Sequence, residues 1–282
     1  MRKLTKERMK IKLIATDLDG TFLTDKKEIT PFTRKVIEEV QEQGICFVPA
    51  TGRAFRAVPK EVLELGHTEY VITSNGAAVY SVSQSRRIYE CLLSKESVEK
   101  ILGLELDPAI ALEAFWEGAP YSEESYIADP QKYGATAYGA AYVKRTRNPV
   151  KNIRLFIQEH AGKIDSLAFT CADAQKRREL QMLLEEKIPD IYVTSSVPHM
   201  LEVGHKDAGK GKTLRYLLDF LGISGEEAMA FGDADNDIDM LTEVRYGFAM
   251  ENGMENCKKA AFALAGNNNE DGVAKEILKF IR

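Results

Sequence analysis

The sequence lacks the features that mark membrane-spanning or exported proteins. No apolar run approaches the roughly 18 residues that a membrane-spanning helix requires. Residues 1–10 are basic and polar, and no apolar stretch typical of a signal peptide follows them. We therefore expect no membrane partner and a cytoplasmic location.

Cysteine and histidine are scarce and widely spaced. The four cysteines, at positions 46, 91, 171 and 257, form no C-x-x-C pair, and none of the four histidines stands in H-x-x-x-H spacing. This spacing argues against a zinc ribbon, a dithiol redox motif and a histidine-built metal site. Any metal in this protein should therefore be held by carboxylates.

The chain also lacks the positive charge typical of nucleic-acid-binding proteins. Its 282 residues include 38 lysines and arginines against 43 aspartates and glutamates, which gives a net charge of -5. We therefore expect no nucleic-acid partner. Hydrophobic residues make up 44% of the chain, which is enough to bury a large core, and the length suits two modest domains.

Apolar runs and amphipathic stretches alternate at both ends of the chain. This alternation predicts an α/β fold, a Rossmann-like parallel sheet with helices on both faces. The predicted strands cover residues 11–17, 45–50, 70–73, 228–231 and 246–250. The predicted helices cover residues 31–44, 54–65, 211–221 and 272–280, the first with Thr30 as its N-cap.

The middle of the chain has a different sequence pattern. It contains aromatic-rich polar stretches instead of apolar strands followed by acidic residues. We therefore predict a core formed by residues 1–91 and 198–282 and an inserted α/β domain over residues 92–197. Within the insertion we expect strands near 167–170 and 191–194 and a helix over 175–187.

Polar residues follow the predicted core strands at their carboxyl ends, where open parallel sheets bind ligands. They are Asp17, Asp19, Thr51, Gly52, Asp233, Asn236 and Asp237, with Lys210 at the start of a helix. Four carboxylates brought this close would repel one another, and a divalent cation would relieve the repulsion. An oxygen-only, partly hydrated site suits Mg²⁺ together with a phosphate oxygen.

This arrangement can carry out phosphoryl transfer. Asp17 is placed to attack phosphorus and form an aspartyl-phosphate. Asp19, two residues along, points the same way in an extended chain and could protonate the departing oxygen and then activate water. That role requires surroundings that raise its pKa. The phosphoryl charge would be met by Lys210, Thr51, Asn236 and the loop N–H groups around Leu18 and Gly52.

Four ordered segments resemble the motifs of the haloacid dehalogenase superfamily. They are residues 17–21 (DLDGT), 50–53 (ATGR), 210–211 (KG) and 232–237 (GDADND). Residues 74–76 (SNG), 201–203 (LEV) and 269–273 (NEDGV) narrow the resemblance to the Cof-type phosphatases, whose α/β cap is inserted at this place in the chain. The resemblance covers both halves of the core and the cap in outline.

The resemblance implies a role for each of these residues. It implies that Asp17 is the nucleophile, that Asp19 is the acid/base, and that Asp17, the Asp19 main-chain carbonyl and Asp233 hold Mg²⁺. It implies that Asp237 orients the metal-bound waters or Lys210. The phosphate contacts it implies are Leu18, Thr51, Gly52, Lys210 and Asn236. The chain departs from the usual pattern at residues 234–235 (AD) and 249–253 (AMENG), and the family's usual start makes Met9 an alternative first residue.

These features predict a Mg²⁺-dependent phosphatase that hydrolyses a small phosphorylated metabolite, such as a sugar phosphate. One alternative is a phosphomutase or phosphotransferase with the same intermediate. Another is a regulatory module, like a receiver domain, in which the phospho-aspartate persists. Asp19 and the inserted domain favour turnover over signalling. We expect a monomer or a weak homodimer.

Two other motif matches fail. Residues 233–244 resemble a calcium loop, but Ile238 and Val244 stand where Gly and Glu are required. Residues 204–210 match the start of a nucleotide-binding P-loop, but Gly211 stands at the Ser/Thr position. Lys212 is therefore expected to be a solvated helix residue.

The residues that select the substrate are expected in the inserted domain, for which the sequence offers no motif. Trp116 and the tyrosines of that domain are candidates, although aromatic residues are more often part of a core. His199, near the end of the insertion, could face the crevice.

Overall fold

The structure, a computed structural model, describes residues 11–281. Met9 and the basic segment before it lie outside the described residues. Within 11–281, the chain forms a five-stranded parallel sheet, a three-stranded antiparallel sheet beside it, and a separate six-stranded sheet. The expected α/β fold is confirmed. No helix in this part of the chain is both long and apolar enough to cross a bilayer.

The strands and helices are as follows in chain order. The strands are β1 (Leu13–Thr16), β2 (Cys46–Pro49), β3 (Tyr70–Thr73), β4 (Ala78–Ser81), β5 (Arg86–Glu90), β6 (Ile110–Trp116), β7 (Ala119–Glu123), β8 (Asn148–Val150), β9 (Ile164–Cys171), β10 (Ile191–Thr194), β11 (Met200–His205), β12 (Ala228–Gly232), β13 (Tyr246–Met250) and β14 (Ala263–Ala265). The helices are α1 (Pro31–Glu42), α2 (Lys60–Leu63), α3 (Lys95–Leu102), α4 (Glu124–Ala128), α5 (Ala137–Thr146), α6 (Ile153–Glu159), α7 (Ala174–Lys187), α8 (Lys210–Leu221), α9 (Ile238–Glu243), α10 (Glu255–Ala260) and α11 (Gly272–Ile281).

The parallel sheet has the order β14-β13-β12-β1-β2 and is covered on both faces. Along β1, Ile14 points to the apolar cluster that includes α1 and α11, whereas Leu13 and Ala15 point to the cluster that includes α8 and α9. Because both faces are buried, the strand can be continuously apolar. This is the doubly wound arrangement that the alternating pattern predicted, except that the predicted strand over residues 70–73 pairs antiparallel with β4 in the three-stranded sheet.

The predicted helix over residues 54–65 is wrong. The chain there forms a short 3-10 turn, Phe55–Ala57, and then α2, which is only four residues long. Pro59 lies between them and has no N–H with which to continue a helix. Arg53, in the loop after β2, lies before both of these short segments and outside any helix.

The six-stranded sheet has the order β10-β11-β9-β6-β7-β8. All its pairs are antiparallel except β7 with β8. One face packs against α3, α6 and α7 around a core that includes Phe169 and Leu184. Because β11 pairs with β9, residues 200–205 lie in this sheet, although the sequence assigned them to the core. We propose to move the second domain boundary to the end of β11.

Candidate active site

The carboxyl ends of β1, β2 and β12 lie side by side because β1 pairs in parallel with both other strands. The loops after these strands carry Asp17, Thr51 and Asp233. The backbone N–H of Asp17 donates to the Phe231 carbonyl and that of Thr51 to the Ile72 carbonyl, each at 2.9 Å. Neighbouring strands therefore hold both residues at the edge where parallel sheets bind ligands.

Lys210 begins α8 and is fully buried. Its ammonium donates to Asp17 Oδ1 at 2.5 Å and to Asp237 Oδ1 at 2.6 Å. The other oxygen of Asp237 accepts the backbone N–H groups of Asp233 and Ala234 at 2.9 and 3.0 Å. Burial disfavours the ammonium, but the two carboxylates outweigh it and raise the pKa of Lys210. Lys210 therefore stays charged in a site closed to solvent.

Three carboxylates, those of Asp17, Asp233 and Asp237, have oxygen atoms within 4.8 Å of one another. Burial, followed by the charge of Asp237, raises the pKa of Asp233 to about 7. Burial also raises the pKa of Asp17 well above its usual range, although Lys210 opposes this shift. One ammonium does not balance three carboxylates, and a donor set made only of oxygen fits a hard divalent cation.

The loop after β1 is shaped to bring backbone and hydroxyl groups to Asp233. The Thr21 hydroxyl donates to Asp233 Oδ1 at 2.6 Å. Gly20 has φ +90°, and a Cβ there would lie 2.5 Å from Asp233 Oδ2, so only glycine fits. The Leu18 side chain is buried in the core and its carbonyl accepts the Leu23 N–H at 2.9 Å. Leu18 therefore has only backbone atoms to offer the site.

Asp19 lies next to the cluster but its side chain points elsewhere. Its two oxygens accept Nε and one terminal nitrogen of Arg53 at 2.6 and 2.7 Å, and Lys27 Nζ lies 2.9 Å away. Burial alone would raise the pKa of Asp19, but hydrogen bonds and charge from Arg53 and Lys27 lower it to about 2. This arrangement therefore does not provide the surroundings, with a raised pKa, that the proton-donor role requires, because Asp19 pairs with Arg53 and Lys27.

Thr51, Gly52 and Asn236 border the cavity above these carboxylates. The Thr51 hydroxyl accepts the Arg53 N–H at 3.1 Å and keeps its own proton as a donor. Asn236 donates through Nδ2 to Asn75 Oδ1 at 2.9 Å, and its buried Oδ1 has no partner among the described residues. A buried polar atom without a partner calls for a ligand or water.

The turn after β3 fixes the start of α8. Ser74, Asn75 and Gly76 have φ of 49°, 53° and 91°, so the chain reverses within three left-handed residues. A Cβ at Gly76 would lie 2.2 Å from the Gly209 carbonyl oxygen, which shows how closely the two segments approach. The Thr213 hydroxyl also donates to the Gly76 carbonyl at 2.7 Å. These contacts hold the helix end that carries Lys210.

The inserted domain closes the site into a cavity of about 450 Å³. His199 lines it, as the sequence suggested, whereas Trp116 does not and packs instead against His160, with ring centroids 4.3 Å apart. The side chains that the insertion contributes are Glu113, Phe115, Tyr126, Ala135, Thr136, Tyr138, Tyr142, Val143, Arg147, Thr170, Ser196, Val197, Pro198, His199, Met200 and Glu202.

One ion pair, two cation–π contacts and a hydrogen bond connect this wall internally and to the core. Arg147 donates from Nε to Glu113 Oε2 at 2.6 Å, and the Glu113 side chain is fully buried. The Tyr142 ring lies under both the Arg53 and the Arg147 guanidinium, at 4.8 and 5.1 Å from its centroid. Glu202 accepts Asn75 Nδ2 at 3.0 Å. The wall therefore touches the core at Arg53 and at Asn75.

The structure brings together all the residues predicted for the site. No individual role was expected from the sequence for Arg53, Lys27, Asn75 or Glu202. Arg53 and Asn75 follow strand ends within the motifs at residues 50–53 and 74–76, and Glu202 stands in the motif at residues 201–203, so these motifs were the available signal. Lys27 stands in none of these motifs, and it becomes a neighbour of Asp19 only through the path of the loop after β1.

Comparison with known proteins gives a consistent result. Residues 14–277 match the family described as haloacid dehalogenase-like hydrolase. A putative phosphatase of Streptococcus pyogenes serotype M6 is 30% identical and aligns over 97% of this chain and 99% of its own length. The 5-amino-6-(5-phospho-D-ribitylamino)uracil phosphatase of Bacillus subtilis is 28% identical over 98% of each chain.

A solved structure shares the whole architecture. The structure of a haloacid dehalogenase-like hydrolase from B. subtilis superimposes with a TM-score of 0.82 and 27% identity, over 96% of this chain and all of the other. The fold, the order of motifs and the match over most of the chain agree with one another. They confirm the resemblance to the Cof-type phosphatases: the chain belongs to the haloacid dehalogenase-like hydrolase family and is a hydrolase.

Proposed function

We propose that this protein is a Mg²⁺-dependent phosphatase that hydrolyses small phosphomonoesters through an aspartyl-phosphate. The observation that carries the proposal is the buried cluster in which Asp17 shares Lys210 with Asp237 and has Asp233 beside it. The cluster opens into a cavity large enough for a small metabolite. The family membership and the names of the relatives support phosphate-ester hydrolysis.

Asp17 is the proposed nucleophile. A carboxylate oxygen of Asp17 attacks phosphorus, the bond from phosphorus to the ester oxygen breaks, and the departing alcohol takes a proton from Asp19. A water molecule then attacks the phosphorus of the aspartyl-phosphate and gives its proton to Asp19, so that Asp17 and inorganic phosphate are released. Two displacements at a fixed centre replace one difficult attack by water.

The other core residues hold and stabilise the transferring group. Lys210, the Thr51 hydroxyl, the Asn236 amide and the backbone N–H groups at Leu18 and Gly52 are the proposed phosphoryl contacts. Because these donors are fixed before the substrate binds, they stabilise the transition-state charge without reorganising.

The metal site is proposed at the carboxylates beside Asp17. Asp17, the main-chain carbonyl of Asp19 and Asp233 would hold Mg²⁺, while Asp237 orients Lys210 and the loop N–H groups of Asp233 and Ala234. When bound, the ion supplies positive charge that offsets the carboxylates and the phosphoryl oxygens.

Asp19 needs a second orientation to donate a proton. In the observed pairing with Arg53 it is held as a carboxylate, a form suited to accepting a proton from water. For the first step, its side chain must leave Arg53 and turn into the cavity, which Asp19 already borders. Arg53 is therefore proposed to be a positioning residue for Asp19.

The experiment is phosphate release from a panel of phosphomonoesters with and without Mg²⁺, for the parent protein and Asp17→Asn. Asp219→Asn, an exposed position on α8, is the matched control. We expect Mg²⁺-dependent release that Asp17→Asn abolishes and Asp219→Asn leaves intact. Phosphate that stays on Asp17 would favour the regulatory module, and transfer to an added alcohol would favour the phosphotransferase. Full activity of Asp17→Asn would contradict the proposal.

A further inference from the structure

The wall that the inserted domain contributes to the cavity is mainly aromatic and aliphatic. Phe115, Tyr126, Tyr138 and Tyr142 border the cavity together with the imidazole of His199. Burial, and then the charge of a neighbouring arginine, lowers the pKa of His199, so its ring is neutral near neutral pH. Five planar rings therefore border the space that the leaving group must occupy.

The charged side chains of this wall already have partners. Glu113 accepts Arg147 through both oxygens, at 2.6 and 3.2 Å, and accepts the Ser122 hydroxyl at 2.5 Å. Arg147 also donates to the Thr146 hydroxyl at 3.1 Å. These groups satisfy one another, so they hold the wall together rather than offering free acceptors to a substrate.

Both carboxylate oxygens of Glu202 also have hydrogen-bond partners within the protein. One of its oxygens accepts Asn75 Nδ2 at 3.0 Å and the other accepts the Ser196 backbone N–H at 2.9 Å. Within residues 11–281, the inserted domain contributes no asparagine or glutamine side chain to the cavity lining. The wall thus lacks the free carboxylate and amide groups that bind the several hydroxyls of a sugar, and an unpaired hydroxyl buried there would be costly.

Among the rings that border the cavity, the side chain of Tyr138 is the most exposed to solvent. It lies on α5, borders the cavity and is 48% exposed. Lys27 Nζ lies 5.8 Å from its ring centroid, so a group from the core holds it near the crevice. Thr136 and Thr170 hydroxyls border the same cavity and can serve the polar edge of a heterocycle.

We propose that the leaving group of the substrate carries a planar aromatic or heteroaromatic ring that lies against Tyr138 and the rings around it. This inference rests on the proposed function, because it assumes that the core carboxylates hold the phosphoryl group. The core supplies the polar contacts of the phosphate, and the inserted domain supplies flat apolar surface for the ring, which stacking favours.

The experiment compares esters that differ by the ring alone. AMP and UMP are measured against ribose 5-phosphate, with glucose 6-phosphate as a second ester without an aromatic ring. We expect kcat/KM for the better nucleotide to exceed that for ribose 5-phosphate by about tenfold or more, within the range for one base stacked on an aromatic side chain. Equal or faster hydrolysis of the ring-free esters overturns the inference and leaves the proposed function standing.

Variants then test the assigned wall. Tyr138→Leu should lower the ratio of the nucleotide to the ribose 5-phosphate kcat/KM about fivefold, mainly through KM. Tyr138→Phe should keep the ratio, and so should the control Tyr121→Leu, whose ring stacks on Phe156 away from the cavity. The ratio cancels any difference in the folded fraction. An unchanged ratio in Tyr138→Leu overturns the placement of the ring.

Binding provides a readout that does not depend on turnover. With Asp17→Asn and Mg²⁺, calorimetric titration should show AMP or UMP binding more tightly than ribose 5-phosphate by a similar factor, and Tyr138→Leu added to this background should reduce that difference. No phosphate release from any ester by the parent overturns the proposed function. In that case, tighter nucleotide binding would still support the aromatic wall, and equal binding would overturn it.

Discussion

The two halves of the cavity differ in how their buried charges are balanced. In the core half, Lys210 faces Asp17 and Asp237 while Asp233 lies beside them, so three carboxylates share one ammonium. In the cap half, Glu113 pairs one-to-one with an arginine, and Glu202 is held by the Asn75 amide and the Ser196 N–H. The core cluster therefore has unbalanced negative charge. Burial, and after it the charge of the neighbouring carboxylates, raises the pKa of Asp17 and Asp233, and the cluster is suited to bind a cation.

This contrast separates the residues proposed for the reaction from those that hold the cap wall together. A balanced buried pair is satisfied within the protein, adds little net stability, and is costly to break by removing one partner. An unbalanced cluster can persist only with protonation or a bound cation. We infer that the core half is built for the reaction, whereas the cap half is built to present a shaped and largely apolar surface.

The largest effect is expected from removing the shared ammonium. Lys210→Met leaves two buried carboxylates without a cation, and we expect a loss of about 3–5 kcal/mol in the free energy of unfolding, as for other broken buried pairs. Phosphate release should fall by about 10³-fold, because a fixed positive charge at the phosphoryl group is lost. Urea unfolding and steady-state phosphate release measure the two effects.

Lys212→Met is the matched control, since Lys212 lies on the same helix but is largely exposed. It should change the free energy of unfolding by no more than about 0.5 kcal/mol. Equal effects of the two substitutions would contradict the assignment of Lys210 to the centre of the cluster.

The second prediction concerns the leaving group. Asp19→Asn removes the proposed proton donor, so the first-turnover release of alcohol from an alkyl phosphate should slow by about 10²–10⁴-fold. The first-turnover release of 4-nitrophenol from 4-nitrophenyl phosphate should slow much less, because this leaving group departs without a proton. Hydrolysis of the aspartyl-phosphate, which also uses Asp19, should slow equally for both esters, so the measurement is the ratio of the two first-turnover rates in parent and variant. An equal loss for both esters would show that Asp19 acts on something other than the leaving group.

Sequence alone predicted the core half well, for a physical reason. The strands there are continuous apolar runs buried on both faces, and their polar loops meet wherever a parallel sheet forms. β12, for example, was predicted over residues 228–231 and observed as Ala228–Gly232. The proximity of Asp17 and Asp233 therefore follows from the strand pattern and the parallel pairing of β1 with β12.

The cap half could not be predicted in the same way. β6 pairs with β9 across a long stretch of chain, and the sequence contains no local signal for that register. Glu113 is buried in β6 only because Arg147, outside that strand, reaches it. The direction of Asp19 was equally hidden, since it depends on the side-chain orientation of Arg53 in another loop. Such contacts follow from tertiary packing rather than from motifs.

The third prediction tests the balanced pair. Arg147→Met leaves Glu113 as a fully buried carboxylate without its cation, and it should lower the free energy of unfolding by about 3 kcal/mol. Adding Glu113→Gln should recover part of that loss, because no buried charge is then left unpaired. Urea unfolding of the two single variants and the double variant measures the coupling. Additive losses would contradict the view that this pair is self-contained.

The smallest effect is expected at a second contact between the two regions. Arg87 on β5 donates to both oxygens of Asp165 on β9, at 2.6 and 2.7 Å, and Asp165 also accepts the Gly118 N–H at 3.1 Å. Burial raises the pKa of Asp165, although Arg87 opposes the shift. This pair joins a core strand to a cap strand away from the cavity.

Arg87→Met should therefore destabilise the protein by about 1–3 kcal/mol near neutral pH. A carboxyl with a raised folded-state pKa costs stability above its unfolded pKa, and the cost is absent once both states are protonated. The difference between parent and Arg87→Met should accordingly be larger at about pH 7.5 than at about pH 4.5. Arg86→Met, at the exposed neighbouring position, should show no such pH dependence. A loss that is the same at both pH values would mean that Arg87 contributes by packing alone, and the contact would then resemble the apolar cap wall more than the charged core.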